Sequence, residues 1–238
     1  SLANILTTDH TSSTKQLQSV QPGTRKKLEH FSYALSDIIG KGYSSQVFKG
    51  KNDLTSTPLS TQTASRHQSH RHEDAQVRGE PHSAQQLNLE SKAPEFHSSV
   101  LQLFEVYNTK NNTYIITELC DSDLSKKIKK KPTEQEAYSY IQQLLNGYMH
   151  LFRKDIIHRD LKPANVLIKE GMLKIADFGF SINAKDAQRP SKYNVGSPLY
   201  MAPESLKRNE YSFKSDIWAL GIIYYEMIFG NPPWRAKN

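Results

Sequence analysis

Residues 158–168 bring three chemically useful side chains close together in the sequence. Asp160 is a carboxylate that could orient an attacking hydroxyl and take its proton, and Lys162 could stabilise the charge on a transferred phosphoryl group. Asn165 adds an amide whose carbonyl oxygen is a suitable ligand for Mg²⁺. This combination of groups is what phosphoryl transfer to a hydroxyl requires.

A second carboxylate follows the first segment at a short distance. Asp177 lies in the sequence Ala-Asp-Phe-Gly and could supply a further oxygen ligand for the same metal. An Asp-Phe-Gly triplet alone occurs often by chance, and a single Asp is usually a solvated surface residue. Because the two segments occur in this order and at this spacing, we prefer a shared phosphoryl-transfer site to two unrelated loops.

The two segments resemble the catalytic loop and the metal-binding segment of eukaryotic protein kinases, with Lys162 at the position typical of the serine/threonine branch. Residues 196–204, Gly-Ser-Pro-Leu-Tyr-Met-Ala-Pro-Glu, resemble the substrate-binding segment of these kinases. The sequence of this segment most resembles the branch that includes the autophagy-initiating kinases. The resemblance implies a two-lobed α+β fold that transfers the γ-phosphoryl group of ATP to Ser or Thr of protein substrates, with Mg²⁺ as cofactor.

The resemblance also implies a phosphate-binding loop in the small lobe. Gly40 and Gly42 begin a segment similar to the glycine-rich loop G-x-G-x-x-G-x-V, which ends at Val47. Ser45 stands at the position of the third glycine. Glycines let backbone amides approach phosphate groups closely, so a serine at this position makes the loop stiffer.

The expected adenine site lies where the two lobes meet. Residues 117–120 resemble the hinge, and the backbone groups of Glu118 and Cys120 would form hydrogen bonds with the adenine. Leu167 would lie beneath the adenine ring. These three assignments rest on the resemblance alone.

Residues 51–95 depart from the family pattern. They contain no Ile, Phe, Tyr, Trp or Met, and residues 52–91 contain no Lys. We therefore expect neither a buried third strand nor its V-A-I-K lysine, and Glu90 is the candidate for the helix glutamate that pairs with such a lysine. Lys49 could substitute, since it shares a strand face with Val47, although a lysine at a strand edge is the simpler interpretation. The segment is either a genuine insertion or the product of a reading-frame shift.

Two helices are expected to position the catalytic segments. Thr133 and Glu136 have capping-box spacing, and apolar residues recur with the helical period over residues 137–152. Residues 215–227 are apolar on nearly all sides, which predicts a buried helix. A membrane span is the alternative, but the run is too short and contains two carboxylates. In the family that the chain resembles, Asp216 holds the backbone of the catalytic loop.

Residues 180–196 are mostly polar and resemble an activation loop. They include the hydroxyl residues Ser181, Ser191 and Tyr193. Arg159, next to the candidate catalytic carboxylate, could bind a phosphate group on this loop. The alternative is that Arg159 only pairs with nearby backbone.

These assignments define the expected domain organisation. Residues 1–30 are rich in Ser, Thr and Gln and are expected to be a disordered arm, followed by a kinase domain over residues 31–238. The small lobe, residues 31–117, is expected to be damaged by its polar segment. The large lobe, residues 118–238, is expected to be incomplete because the family domain continues with more helices. Two function classes stay open: an active serine/threonine kinase, and a non-catalytic pseudokinase or scaffold that lacks the strand lysine.

The composition argues against several other classes. The net charge is +7, but the basic run at residues 126–131 is not interleaved with aromatic residues, so we expect no nucleic-acid partner. The single cysteine, Cys120, favours a reducing compartment, and we expect a cytoplasmic protein. No apolar run is long enough for a membrane span. The expected partners are ATP and protein substrates, and regulatory proteins could also bind.

Overall fold

The computed structural model describes residues 25–41, 45–65, 97–188, 190–191 and 194–234. Gly42, Glu90 and Tyr193, which carry predictions about the nucleotide site and the activation loop, lie outside the described residues. The same is true of residues 1–24, most of the predicted arm.

Six antiparallel strands form one sheet in the N-terminal part of the chain. They are β1 (Arg25–Leu28), β2 (Phe31–Lys41), β3 (Ser45–Asn52), β4 (Pro58–Ser65), β5 (Leu103–Asn108) and β6 (Asn112–Glu118). Their spatial order is β1-β2-β3-β4-β6-β5. Buried side chains form two clusters on one face of this sheet: Phe31 with Leu59 and Ile116, and Tyr33 with Phe48 and Tyr114.

Strand β4 shows that the expectation of no buried strand in residues 51–95 was wrong. It pairs with β3 on one side and with β6 on the other, so it lies inside the sheet. Its one large apolar side chain is Leu59, and the neighbouring Ser60 and Thr61 are buried as well. The Ser60 and Thr117 hydroxyls are 2.7 Å apart and form a hydrogen bond. Backbone pairing on both sides therefore forms a strand that hydrophobic patterning does not reveal.

Strand β1 corrects the other end of the predicted small lobe. Residues 25–30 were assigned to the disordered arm, but they form β1 and a turn that leads into β2. The Arg25 guanidinium donates to the backbone oxygen of Ser32 at 2.9 Å and to its hydroxyl. The ordered sheet therefore begins before residue 31.

Among the described residues, the C-terminal portion contains a few helices and several short strands, so the chain has a mixed α/β fold. Its helices are α1 (Leu124–Lys129), α2 (Glu134–Arg153), α3 (Pro203–Arg208) and α4 (Phe213–Phe229). Its short strands are β7 (Ser122–Asp123), β8 (Ile156–Ile157), β9 (Val166–Lys169), β10 (Met172–Ile175) and β11 (Ile182–Asn183). Strands β10, β9 and β7 form one small sheet, and β11 pairs with β8. Within the described ranges, no helix is long and apolar enough to cross a membrane.

The two long helices form the core of this portion. Helix α2 begins at the predicted capping box, where the Thr133 hydroxyl accepts from the backbone N–H of Glu136 and the Glu136 carboxylate accepts from that of Thr133. Helix α4 packs against it through Leu220, Ile223 and Met227. The prediction that α4 is buried all round was too strong, because several of its large side chains are exposed: Ile217, Trp218, Tyr225 and Phe229.

Helix α2 approaches the segment before β5 very closely at Gly147. A Cβ at this position would lie 2.7 Å from the backbone oxygen of Ser99 and 3.2 Å from the Ile175 side chain. We expect Gly147→Ala to force the helix away from the chain around Ser99 and to lower the free energy of unfolding by about 1–3 kcal/mol. Chemical denaturation followed by circular dichroism measures this change.

Gly221→Ala in helix α4 is the matched control. A Cβ there meets no heavy atom within 4 Å. Because alanine favours helix over glycine, the control should be neutral or should stabilise by up to roughly 1 kcal/mol. Equal destabilisation by both variants would contradict the close approach at Gly147.

Candidate active site

The buried carboxylate of Asp216 holds the backbone at the start of the candidate catalytic loop. One oxygen accepts from His158 N at 2.7 Å and from the Tyr148 hydroxyl at 3.2 Å, and the other accepts from Arg159 N at 2.9 Å. Arg159 has a φ of 68°, an unfavourable conformation for a residue with a side chain. Burial raises the pKa of Asp216, while the backbone and Tyr148 donors act in the opposite direction. Helix α4 thereby fixes the loop that carries Asp160.

The Asp160 carboxylate lies at the centre of a compact polar cluster. One of its oxygens accepts from Lys162 Nζ at 2.8 Å and from Asn165 Nδ2 at 2.9 Å. The other accepts from the hydroxyl of Ser197 at 2.9 Å, and Lys162 Nζ also donates to this hydroxyl at 2.9 Å. The structure therefore brings together Asp160, Lys162 and Asn165, three of the candidate site residues, and adds Ser197.

The candidate metal ligands lie on adjoining segments. Asn165 immediately precedes β9, and its backbone oxygen accepts from Ala176 N at 2.9 Å, one residue before Asp177. The Asn165 amide nitrogen donates to Asp160, so the amide oxygen is the atom suited to a cation. Asp177 is exposed and has a left-handed backbone, with φ at 63°. One amide oxygen and one carboxylate, completed by phosphate oxygens, fit the preference of Mg²⁺ for oxygen ligands.

The segment that follows Gly196 depends on the absence of a side chain there. Gly196 has a φ of 109°, and a Cβ would lie only 2.6 Å from the backbone oxygen of Arg159. This close approach allows Ser197 to reach Asp160. The candidate catalytic loop and the candidate substrate-binding segment are thus in direct contact.

On the sheet, the nucleotide candidates that the structure describes lie side by side. Gly40 pairs with Val47 across β2 and β3, and Val47 pairs with Gln62 across β3 and β4. Paired residues of antiparallel strands share a face, so Gln62 lies on the same face as Val47. The Gln62 amide donates to the hydroxyl of Ser45 at 3.3 Å.

Gln62 is a residue that sequence reasoning missed. Strand β4 reads Pro-Leu-Ser-Thr-Gln-Thr-Ala-Ser and contains no Lys. In this strand Ser60 and Gln62 take the alternate positions that face the same way as Val47. Lys49 pairs with Ser60, so it also lies on this face, and its side chain is exposed. The period-2 pattern could have identified these positions once β4 was recognised as a strand.

The side chain and the backbone of the hinge candidate Glu118 have different partners. Its buried carboxylate pairs with Lys174 Nζ at 2.8 Å and Lys169 Nζ at 3.0 Å, and it accepts from Gln102 N at 3.0 Å. Burial alone would raise the pKa of Glu118, but these donors together hold it below its ordinary value. Its backbone N–H donates to the Gln102 oxygen, and its carbonyl oxygen accepts from the hydroxyls of Thr117 at 3.3 Å and Ser60 at 3.5 Å. The lysine within the apolar sequence of β10 indicates that its charge needs a buried partner, but the sequence does not identify Glu118 as that partner.

The other two adenine candidates lie nearby in the chain. Cys120 is half-buried, and burial raises the pKa of its thiol to about 12, so the thiol is protonated at neutral pH. Leu167 is half-buried in β9, paired with Asp123 on one side and Lys174 on the other. The two residues thus lie on segments joined by the small sheet β10-β9-β7.

Comparison with known proteins identifies the family. The protein kinase domain matches residues 33–238, which is most of the chain. The chain belongs to the protein kinase domain family. Membership of this family implies ATP and Mg²⁺ as ligands and proteins as substrates.

The kinase domain is similar to several curated serine/threonine kinases. It is 37% identical over 220 residues to the serine/threonine-protein kinase atg1 of Dictyostelium discoideum, which covers 87% of this chain and 31% of that protein. It is 30% identical over 225 residues to the serine/threonine-protein kinase PLK2 of Mus musculus, covering 92% and 31%. The chain spans less than a third of the length of these relatives. The recognition of a serine/threonine kinase domain from its sequence is confirmed.

Ser181, in the segment predicted to be an activation loop, has a buried hydroxyl. Ser181 is 1% exposed, and its hydroxyl donates to the backbone oxygen of His158 at 3.4 Å. Arg159 donates to the backbone oxygen of Phe180 and lies 5.3 Å from the centre of the Tyr211 ring. These local contacts favour the alternative in which Arg159 pairs with its surroundings.

The buried ion pair of Glu118 gives a prediction for stability. In Glu118→Gln the buried Lys174 loses its counter-charge, so we expect the free energy of unfolding at neutral pH to fall by about 3 kcal/mol. Because the folded pKa of Glu118 lies below its ordinary value of 4.5, the carboxylate stabilises fully above that pH. Its contribution disappears as the pH falls through the lowered folded value.

Denaturation of the wild type and Glu118→Gln over a series of pH values measures this prediction. The two curves should converge on the acidic side of pH 4.5. Glu136→Gln is the matched control, because this carboxylate also pairs with a lysine but lies on the surface of α2. If the control lost as much stability as Glu118→Gln, burial would not be the reason.

Proposed function

We propose that this chain transfers the γ-phosphoryl group of ATP to Ser or Thr hydroxyls of protein substrates. The observation that carries the proposal is the Asp160 cluster, in which one carboxylate is held by Lys162, Asn165 and Ser197 within a kinase domain. The N-terminal sheet corresponds to the small lobe of a two-lobed kinase fold. The C-terminal portion corresponds to the large lobe.

The contacts of Asp160 suit an oriented proton acceptor. A substrate hydroxyl that replaces Ser197 at one carboxylate oxygen would donate to Asp160 and direct its oxygen at the γ-phosphorus. The new oxygen–phosphorus bond forms as the bond from the γ-phosphorus to the bridging oxygen of ADP breaks, and the hydroxyl proton passes to Asp160. Lys162, 2.8 Å from the same carboxylate, would stabilise the charge on the moving phosphoryl group.

The nucleotide and metal assignments complete this proposal. Asn165 and Asp177 would hold Mg²⁺, which neutralises phosphate charge when it is bound. The backbone groups of Glu118 and Cys120 would contact the adenine, with Leu167 beneath the ring. The phosphates would contact the residues of the glycine-rich segment: Gly40, Gly42 and Val47.

Substrates and partners of the whole protein are a separate part of the proposal. The names of the similar proteins describe serine/threonine-protein kinases, which supports Ser and Thr as acceptors rather than Tyr. Regulatory proteins are the other class of partner in the proposal. The single cysteine agrees with a reducing compartment such as the cytoplasm.

Asp160→Asn tests the catalytic assignment. The amide keeps the size of the side chain but cannot accept the hydroxyl proton, so we expect phosphotransfer to fall by about 10²–10⁴-fold. The dissociation constant of Mg²⁺-ATP should change little, because Asp160 is not proposed to touch the nucleotide. Radiolabelled phosphate transfer and a nucleotide titration measure the two quantities. Phosphotransfer at the wild-type rate in this variant would remove Asp160 from the mechanism.

A non-catalytic pseudokinase is the second candidate, and the polar strand β4 favours it. Gln62 is half-buried and lies on the same face of the sheet as Val47. Strand β4 contains no lysine that could pair with phosphates. An amide can donate a hydrogen bond to a phosphate oxygen but carries no charge, and charged hydrogen bonds are stronger. Under this candidate the chain binds nucleotide weakly and transfers phosphate slowly or not at all.

Gln62→Lys separates the two candidates. If the missing charge limits activity, the lysine should raise phosphotransfer by about tenfold or more, which is the effect of one charge-assisted hydrogen bond. Lys49→Met is the companion variant, because Lys49 is the exposed lysine on the same face. If the wild type transfers phosphate rapidly and neither variant changes the rate, the pseudokinase candidate is excluded. No turnover in any variant, with nucleotide still bound, would support it.

A further inference from the structure

The chain contains two tryptophans, of which Trp234 contacts the candidate substrate-binding segment and Trp218 contacts Trp234. Trp218 is on helix α4 and Trp234 follows the end of that helix. Their rings stack with centroids 6.0 Å apart and an angle of 22° between the planes. Each residue is 39% exposed, so the pair is not part of the hydrophobic core.

Trp234 forms a specific polar contact with that segment. Its indole N–H donates to the backbone oxygen of Leu199 at 3.0 Å. Leu199 is the middle residue of the short 3-10 turn Pro198–Tyr200. The turn is therefore attached through its own backbone to a side chain from outside the segment.

The same turn is attached to helix α4 at a second point. The Tyr200 hydroxyl donates to the Glu226 carboxylate at 2.7 Å, and burial raises the pKa of Glu226 while this hydrogen bond lowers it. Ser197, which precedes the turn, donates to Asp160 at 2.9 Å. The turn thus lies between the candidate catalytic carboxylate on one side and Glu226 with Trp234 on the other.

We propose that Trp234 is a positioning residue that fixes the turn Pro198–Tyr200 for substrate binding, with Trp218 supporting its ring. This inference rests on the proposed function, because the turn matters for catalysis only if Ser197 and Asp160 face a peptide substrate. The stacked indole has few accessible orientations, so its N–H is directed at Leu199 before a substrate arrives. A fixed turn reduces the ordering that peptide binding requires, and this lowers the Michaelis constant for the peptide.

Trp234→Phe removes the indole N–H and keeps an aromatic ring for the stack. We expect the Michaelis constant for a peptide substrate to rise about fivefold, the effect of one neutral hydrogen bond. The Michaelis constant for ATP and the turnover number at saturating peptide should stay unchanged. Tyr225→Phe is the matched control, since it removes a hydroxyl from another exposed aromatic residue of α4 and keeps the bond from Trp234 to Leu199, and its peptide Michaelis constant should match the wild type.

Amide hydrogen exchange provides a readout that does not depend on activity. In Trp234→Phe the amides of residues 199–201 should exchange faster, while those of helix α4 keep their wild-type rates. If the purified chain shows no phosphotransfer, the proposed function fails, and the exchange rates still decide whether Trp234 fixes the turn. The inference is overturned if exchange at 199–201 is unchanged in Trp234→Phe. It is also overturned if Tyr225→Phe produces the same change, or if the measured peptide Michaelis constant of Trp234→Phe does not rise.

Discussion

The contact between the Asp216 carboxylate and the backbone of residues 158–159 is the constraint on which the rest of the site depends. It fixes Arg159 in a left-handed conformation, and the chain direction at Asp160 follows from that conformation. The carboxylate comes from helix α4 and is also bound by Tyr148 of helix α2, so the two long helices meet at this point. The packing of these two helices therefore determines the direction of the candidate catalytic carboxylate.

The three buried carboxylates of the site differ in the donors that surround them, and this difference indicates a different role for each. Asp216 accepts from two backbone N–H groups, whose positions the chain itself fixes, and from the Tyr148 hydroxyl, so its role is structural. Glu118 is bound by two lysines and a backbone N–H and joins the sheet to the β9–β10 hairpin. Asp160 is bound only by side chains on the segments around it, and a substrate group can replace a side chain more readily than a backbone group. Asp160 is therefore the carboxylate suited to catalysis, because a substrate group can replace one of its hydrogen-bond donors.

The parts of this fold that the sequence predicted are those with local signals. The capping box at Thr133, the Asp160–Asn165 spacing and the apolar run of α4 each depend on neighbours in the chain, and each appears at the expected place. The sequence could not predict strand β4, because its pairing partners lie on strands that are distant in the chain and its side chains are mostly polar. Contacts of Glu118 with Lys174 and of Trp234 with Leu199 join residues far apart in sequence, so spacing alone gave no sign of them.

The position of β4 has a consequence for how the N-terminal sheet unfolds. Strands β1, β2 and β3 lie on one side of β4, and the hairpin of β5 and β6 lies on the other. Although β4 has one large apolar side chain, Leu59, aromatic residues from the two sides pack together on one face of the sheet: Tyr33 and Phe48 with Tyr114, and Phe31 with Tyr107. These side-chain contacts couple the two sides in addition to the backbone hydrogen bonds of β4. The sheet should therefore unfold as one cooperative unit even though its central strand is polar.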